Sequence, residues 1–345
     1  MSETTCAARD AVHSHLVCVI PMYNEGGHAE HFLVELHSYM SSRFRDVTII
    51  VIDDGSRDTT GEEVRSAIDR GLPVRFIRLS RNFGKEIALT AGLAATERLA
   101  SAADVVLIMD GDFQHPFNVV DQMIERWEQG IDMVYGVQVR RGSIGPARRA
   151  FTWIFYRLLR ASNDRFTIPR DAGDFRLLDQ QVVRAINSLP ERNRYMKGLY
   201  AWVGFESTGV PFEALPRAAG HSTFGISRLS ELALDGLTAF TTWPLRVASI
   251  SGVFISLTAF VYTCWIIVER LWIGQPIPGF ATLAAAIMFF SGVQLMSIGL
   301  LGEYIGRVFL EVKGRPLYIV SEELHGEEQE QAGERPPMQS STPVE

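Results

Sequence analysis

Val105-Val-Leu-Ile-Met-Asp-Gly-Asp-Phe-Gln-His-Pro116 is the stretch whose reading decides the fold. Its apolar run reads as a buried strand that stops at Asp110-Gly111-Asp112, so two carboxylates stand at the carboxyl edge of a sheet. In extended backbone residues i and i+2 point the same way, and Gly111 lets a ligand come close to the main chain. Hard carboxylate oxygens in this pattern suit Mg²⁺ or Mn²⁺, ions that keep waters and share substrate phosphates. The amide oxygen of Gln114 completes the protein's share of such a shell. An Asp-x-Asp also begins many ordinary loops, so its neighbours decide between the two readings.

Upstream the same arrangement recurs three times. A β-branched strand over 16–20 stops at Pro21-Met-Tyr23-Asn24-Glu25-Gly-Gly, before a helical pattern over 28–39. A second strand over 47–52 ends in Asp53-Asp54-Gly55-Ser56, before a helix over 62–70. A third over 74–79 runs into Ser80-Arg81-Asn82-Phe83-Gly84-Lys85 and a small-residue helix over 86–100. Strands alternating with helices at short spacing predict an α/β fold with a doubly wound, mostly parallel sheet, whose ligands bind beyond the carboxyl ends of the strands. Turn chemistry explains any one of the four polar loops; four on one edge point to a nucleotide site. Neither a GxGxxG nor a GxxxxGK[ST] loop is present, so dinucleotide and P-loop folds are excluded.

Pro21-x-Tyr23-Asn24-Glu25, Asp53-Asp-Gly-Ser56, Arg81-Asn-Phe-Gly-Lys85 and Asp110-Gly-Asp-Phe-Gln-His-Pro116, in that order, resemble the successive motifs of family 2 glycosyltransferases with the GT-A fold. Within that family the chain is similar to polyprenyl-phosphate glycosyltransferases, the group of dolichol-phosphate mannose synthase and bacterial bactoprenol glucosyltransferases. The resemblance covers roughly residues 15–322. It implies a nucleotide sugar bound by Pro21, Tyr23, Asn24, Glu25, Asp53, Asp54, Asn82, Lys85, Asp110 and Gly111, and a Mg²⁺ or Mn²⁺ ion on Asp110, Asp112 and Gln114. A cation between a nucleoside diphosphate and these carboxylates also stabilises the charge that builds as the diphosphate leaves.

Beyond 134–136, another expected strand, Arg140, Arg141, Arg148 and Arg149 form a basic run. Arginine binds phosphate in bidentate fashion, and by resemblance Arg141, Arg149 and Lys197 receive the lipid phosphate. Gln138 departs from the family, where arginine often follows this strand. Arg170-Asp-Ala-Gly-Asp174-Phe-Arg176-Leu-Leu-Asp179 and Glu191-Arg192-Asn-Arg194-Tyr-Met-Lys197 resemble two further blocks, which place Asp112, Asp174, Arg176, Arg192 and Arg194 in the catalytic neighbourhood. In Ala219-Gly-His-Ser-Thr223-Phe224-Gly, relatives carry lysine and tyrosine where this chain has Thr223 and Phe224.

The C-terminal third changes character. Residues 229–240 read as an amphipathic helix near a bilayer, with Trp243 and Arg246 at an interface. No charge occurs over 247–268 or 271–302, and Gly274, Pro276, Pro278 and Gly279 break the second run near its start. Each run is long enough for about 30 Å of hydrocarbon. Arg246 before the first and Arg307, Lys313 and Arg315 after the second place both ends in the cytosol. The expected division is a disordered 1–15, a cytosolic catalytic domain over 16–228, a juxtamembrane helix over 229–243, membrane helices over 244–270 and 279–303, a cytosolic segment over 304–321 and a disordered acidic tail over 322–345.

At 345 residues the chain can bury a large core. Its net charge of −7 argues against a nucleic-acid partner, and Cys6, Cys18 and Cys264 lie too far apart for a metal motif and read as reduced thiols. Residues 1–15 lack the apolar core of a secretory signal. The resemblance implies an integral protein of the bacterial inner membrane, tetrameric, inverting, with UDP-glucose as donor and undecaprenyl phosphate as acceptor. Mannose, N-acetylhexosamine or formamido-arabinose remain open as the sugar, as does a non-catalytic membrane scaffold. A processive synthase is disfavoured, since no QxxRW block is present.

Overall fold

The computed structural model describes residues 9–99, 103–139, 172–192, 194–215, 243–273 and 279–325. They fall into two compact units, one drawn from Met1–Ser143, Ile168–Thr223 and Pro316–Glu345, the other from Ile144–Thr167 and Phe224–Arg315.

The first unit alternates as the sequence predicts through β1 (His15–Met22), α1 (Ala29–Met40), β2 (Asp46–Asp53), α2 (Thr60–Asp69), β3 (Val74–Leu79), α3 (Lys85–Thr96) and β4 (Val105–Ile108), and continues the alternation with α4 (Phe117–Glu128). β5 (Met133–Gln138), β6 (Ala172–Asp179), α5 (Gln180–Ser188), α6 (Met196–Trp202) and β7 (Ser207–Phe212) follow, and β8 (Val320–His325) returns from the far end of the chain. The eight strands lie in the order β7-β5-β6-β4-β1-β2-β3-β8. The four central strands β4-β1-β2-β3 are parallel, while β6 runs antiparallel to β4 and β8 antiparallel to β3.

Strand periodicity divides the core into two layers. Leu16, Cys18, Ile20, Ile49, Val51, Val105 and Leu107 enter the layer beneath α1, α2 and α4. Val17, Val19, Ile50, Ile52, Val106 and Ile108 enter the layer with the buried side chains of α3, α5 and α6. A sheet covered on both faces needs apolar residues at every position of its inner strands, which is why these strands read as continuous runs. Two expected boundaries are corrected. Residues 9–15 are not disordered, since Arg9 pairs with Asp132 and Asp179, Asp10 caps a 3-10 turn over Ala11–His13 and β1 begins at His15. Residues 322–325 are not in a disordered tail but in β8, where Leu324 packs on the core.

In the second unit α7 (Trp243–Ile273) and α8 (Phe280–Val312) are long and apolar. Among the described residues one stretch, Phe289–Val312, is long and apolar enough to cross a membrane, and in α7 the apolar stretch is the shorter Ala248–Tyr262. Two helices stand where two spans are expected from the sequence, and one of them passes on length and composition. Thr258 and Ser297 donate their hydroxyls to carbonyls one turn back, at Phe254 and Val293. Both polar groups are satisfied within their own helix. The amphipathic helix expected over 229–240 lies outside the described residues.

Candidate active site

The carboxyl ends of the parallel strands and the amino end of β6 meet at one edge. Asp110 follows β4, Asp174 is the third residue of β6, and the register pairing Ile108 with Arg176 sets the two acids side by side. Lys85, the first residue of α3, joins them, with Nζ 2.6 Å from Asp110 Oδ1 and 3.2 Å from Asp174 Oδ2. Burial alone would lower the lysine's pKa, but the two carboxylates outweigh it and hold the ammonium above its usual range. Asp174 Oδ1 is buried and meets no hydrogen-bond donor among the described residues. A buried oxygen in that state is a place for an incoming donor.

The turn after β4 is strained. Phe113 adopts a φ of 61°, a left-handed conformation that costs a bulky residue about 1–2 kcal/mol. Its ring is held edge-on to Phe32, centroids 5.0 Å apart, and against His31 at 5.7 Å. On one side of it Asp112, 8% exposed, accepts the Gln114 N–H on Oδ1 at 3.1 Å. On the other, the Asp110 N–H donates to His115 Nδ1 at 3.2 Å, and the imidazole stacks on Phe175 with centroids 4.5 Å apart. Burial lowers the His115 pKa despite Asp110 and Asp112, so the ring is neutral with its proton on Nε2. A Cβ on Gly111 would lie 2.9 Å from Met22 Cε, the flexible end of a β1 side chain.

Negative potential converges on this turn. Burial raises the Glu25 carboxyl's pKa, His28 at 3.0 Å opposes the rise, and the charges of Asp112 and Asp110 add to it. The donors on offer are carboxylate and amide oxygens, which fit a hard divalent cation. Among the described residues no group of three or more His, Cys, Asp or Glu could hold a metal by itself. A partial set suits an ion that takes the rest of its shell from water and substrate phosphate.

The loops after β1, β2 and β3 brace one another. Asn24, at a φ of 54°, donates its N–H to Ser56 Oγ and accepts the Arg57 N–H on Oδ1. Asp53 is fully buried, takes the Ser56 N–H at 2.7 Å and lies 3.2 Å from Arg78 Nε. Asp54 accepts the N–H groups of Phe83 at 2.7 Å and Gly84 at 2.8 Å. Pro21 is half-buried within β1, while Tyr23 and Asn82 are exposed on the rim.

Two expected catalytic arginines are in the scaffold. Arg176 is 1% exposed, donates to the Gly173 carbonyl and lies 4.2 Å over the Tyr200 ring, beneath Asp174. Arg194 donates to the carbonyls of Ile186 and Leu189 at the end of α5. Arg192 is half-buried on the segment leading into α6, and Lys197, also half-buried, is the second residue of that helix. Arg141, Arg149 and the loop with Thr223 and Phe224 lie outside the described residues, and Gln138 is exposed at the end of β5. His115, Phe113, Tyr200 and Glu86 had no role in the sequence reading; only the acid in the first turn of α3 gave a signal, and it reads equally as a helix-dipole partner.

A doubly wound, mostly parallel sheet with paired acids at the carboxyl end of β4 is the α/β arrangement of GT-A-like proteins. Residues 17–186 match the glycosyl transferase family 2 model and residues 243–308 the GtrB C-terminal hairpin. The chain is 39% identical over 307 residues to an uncharacterized glycosyltransferase of Synechocystis sp., covering 89% of this chain and 95% of that one. It is 38% identical over 312 residues to the SfII prophage-derived bactoprenol glucosyl transferase of Shigella flexneri, covering 89% and 98%. Among solved structures, glucosyl-3-phosphoglycerate synthase of Mycobacterium tuberculosis in complex with Mg²⁺ and UDP aligns with a TM-score of 0.44 at 20% identity, over 64% of this chain and 75% of that one. The chain belongs to glycosyl transferase family 2 and is a glycosyltransferase.

Proposed function

We propose that this enzyme transfers one hexose from a nucleotide sugar, UDP-glucose, to the phosphate of a polyprenyl lipid at the cytosolic face of a bacterial membrane. The relatives named bactoprenol glucosyl transferases support the lipid acceptor, since similarity to them runs through both the sheet domain and the helical hairpin. The observation that carries the reading is the Lys85 bridge between Asp110 and Asp174, with Asp174 Oδ1 left open beside it.

Asp110, Asp112 and Gln114 would hold a Mg²⁺ or Mn²⁺ ion, which would supply positive charge to offset that of the departing diphosphate. Lys85 bridges Asp110 and Asp174 and fixes their spacing. Asp174 Oδ1 accepts a hydroxyl of the donor sugar, which satisfies a buried oxygen and orients the ring. Arg141, Arg149 and Lys197 receive the acceptor phosphate. A phosphomonoester is largely dianionic at neutral pH, so its oxygen needs no strong base to attack the anomeric carbon. The new C–O bond forms opposite the breaking bond to the diphosphate, which inverts the anomeric centre. α7 and α8 anchor the domain where a lipid headgroup meets a soluble donor.

The test is transfer in detergent with Mg²⁺ or Mn²⁺, a short polyprenyl phosphate and radiolabelled UDP-, GDP- and CMP-sugars. A chelator-sensitive lipid product from UDP-glucose is expected. Asp110→Ala and Asp112→Ala should each cut the rate by about a hundredfold or more while the protein stays folded. Wild-type turnover in either variant would sink the metal assignment, and a product from another donor would replace glucose.

A further inference from the structure

Glu86 follows Lys85 in the first turn of α3 and has no part in the steps above. Its Oε2 accepts the N–H of Met196, the first residue of α6, at 3.0 Å. Tyr195, the residue placed to cap α6, makes no side-chain cap hydrogen bond. α6 is therefore capped across space, from a different helix. Thr90 closes the same seam, with its hydroxyl donating to the Glu86 carbonyl at 2.8 Å and lying 3.9 Å from Met196 Sδ. The charged groups facing the Glu86 carboxyl are Asp174, Lys197 and Lys85, with the Arg176 guanidinium and the Tyr200 phenol beside them.

We propose that Glu86 is a positioning residue for the transfer reaction: by capping α6 it holds Lys197, the next residue of that helix, beside the Glu86 carboxyl that Lys85 and Asp174 also face, where the acceptor anion arrives. The proposal rests on the transferase reading and says how that anion is received. Lys197 is the residue after the capped N–H, so fraying of this turn moves its ammonium directly. The protonation state of Glu86 matters as well. A carboxylic acid keeps the cap through its carbonyl oxygen, whereas a carboxylate places a second negative charge next to Asp174 and repels an incoming phosphate. Burial, followed by the Asp174 charge, pushes the Glu86 carboxyl up to about 7, against the opposing pull of the Met196 N–H, Lys197 and Lys85. Glu86 is then half protonated near neutrality and turns anionic above it. A carboxyl of that pKa also fits a general base, and a glutamine variant separates the two roles.

The experiment compares full-length wild type, Glu86→Gln and Glu86→Ala in detergent. Acceptor KM, kcat and nucleotide affinity are measured across pH, together with amide exchange over 196–202. Glu86→Ala should raise acceptor KM about tenfold, the size of one lost helix cap, with nucleotide affinity unchanged and exchange in α6 accelerated. Glu86→Gln should match wild type at neutral pH and should not share the rise in acceptor KM that wild type shows above about pH 7. Equal loss of kcat in both variants would make Glu86 a base and overturn the proposal. So would unaltered α6 exchange in Glu86→Ala, or a matching loss of nucleotide binding, which marks a general structural defect. If wild type transfers no sugar, the transferase reading falls, and the exchange data still decide the cap.

Discussion

Asp54 uses both carboxylate oxygens to hold the N–H groups of Phe83 and Gly84, and it is 3% exposed. A group that reads in the sequence as a nucleotide ligand thereby also ties the β2 loop to the start of α3, which carries Lys85 and Glu86. Asp54→Ala leaves two donors without their partner and should cost about 2–3 kcal/mol in thermal unfolding; Asp54→Asn keeps one acceptor and should cost less. Burial raises the Asp54 pKa above 3.8, and the two N–H groups pull it back only in part. A raised folded-state value means stability is lost as pH rises through it, and the asparagine variant should lack that slope. A larger loss in asparagine than in alanine would refute the bracing role. At this scale the acids of 110–114 were legible because they are consecutive in the chain. The Lys85–Asp110–Asp174 bridge was not, because three distant segments meet only once β4 and β6 pair. Nor was the left-handed Phe113, a conformation no propensity favours for an aromatic residue and one that ring packing on Phe32 supports.

Among the elements, α3 packs tightly on the sheet at Gly92. A Cβ on Gly92 would stand 2.3 Å from Val19 Cγ1 and 3.3 Å from Ile52 Cγ1. Alanine is favoured over glycine in a helix by about 1 kcal/mol, but overpacking a buried seam costs about 1–3 kcal/mol, and valine at a sheet surface is stiff. The clash wins. Gly92→Ala should lower Tm by a few degrees and reduce transfer, because displacing α3 moves Lys85 and Glu86 together. A raised Tm would show that the helix has room to spare. β1 to β4 and α1 to α3 were legible to within a few residues, since strands buried on both faces carry unbroken apolar runs, whereas α4 was not read. β6, β7 and β8 were not. Ala-Gly-Asp-Phe-Arg-Leu-Leu-Asp carries charges in mid-strand, Ser-Thr-Gly-Val-Pro-Phe holds a proline and a glycine that suit an edge, and Val-Ser-Glu-Glu-Leu-His is polar. Their pairing comes from neighbours already in place, which local pattern does not record.

On the scale of the whole molecule, the chain leaves the sheet domain, forms α7 and α8, and comes back to complete the sheet. β8 pairs antiparallel with β3, from Arg75 opposite His325 to Leu79 opposite Val320. Arg65 grips Glu322 in a bidentate pair, and Arg75, its side chain 9% exposed, is held by Glu323 at 2.5 Å. The Ser80 N–H donates to the Ile319 carbonyl at 2.9 Å just before the strand begins. The catalytic domain therefore depends on residues that follow the hairpin, and a chain cut before α7 would lose its edge strand along with its anchor. A chain ending after Arg315 leaves Arg75 as a buried cation without Glu323 and opens the β3 edge, a loss that should lower Tm by about 10 °C. A chain ending after His325 keeps every one of these contacts and lacks only the acidic, polar remainder, so its Tm and transfer rate should match full length. Equal melting of the two truncations would show that β8 contributes nothing to the sheet's stability. A fall in both would place a structural role in 326–345.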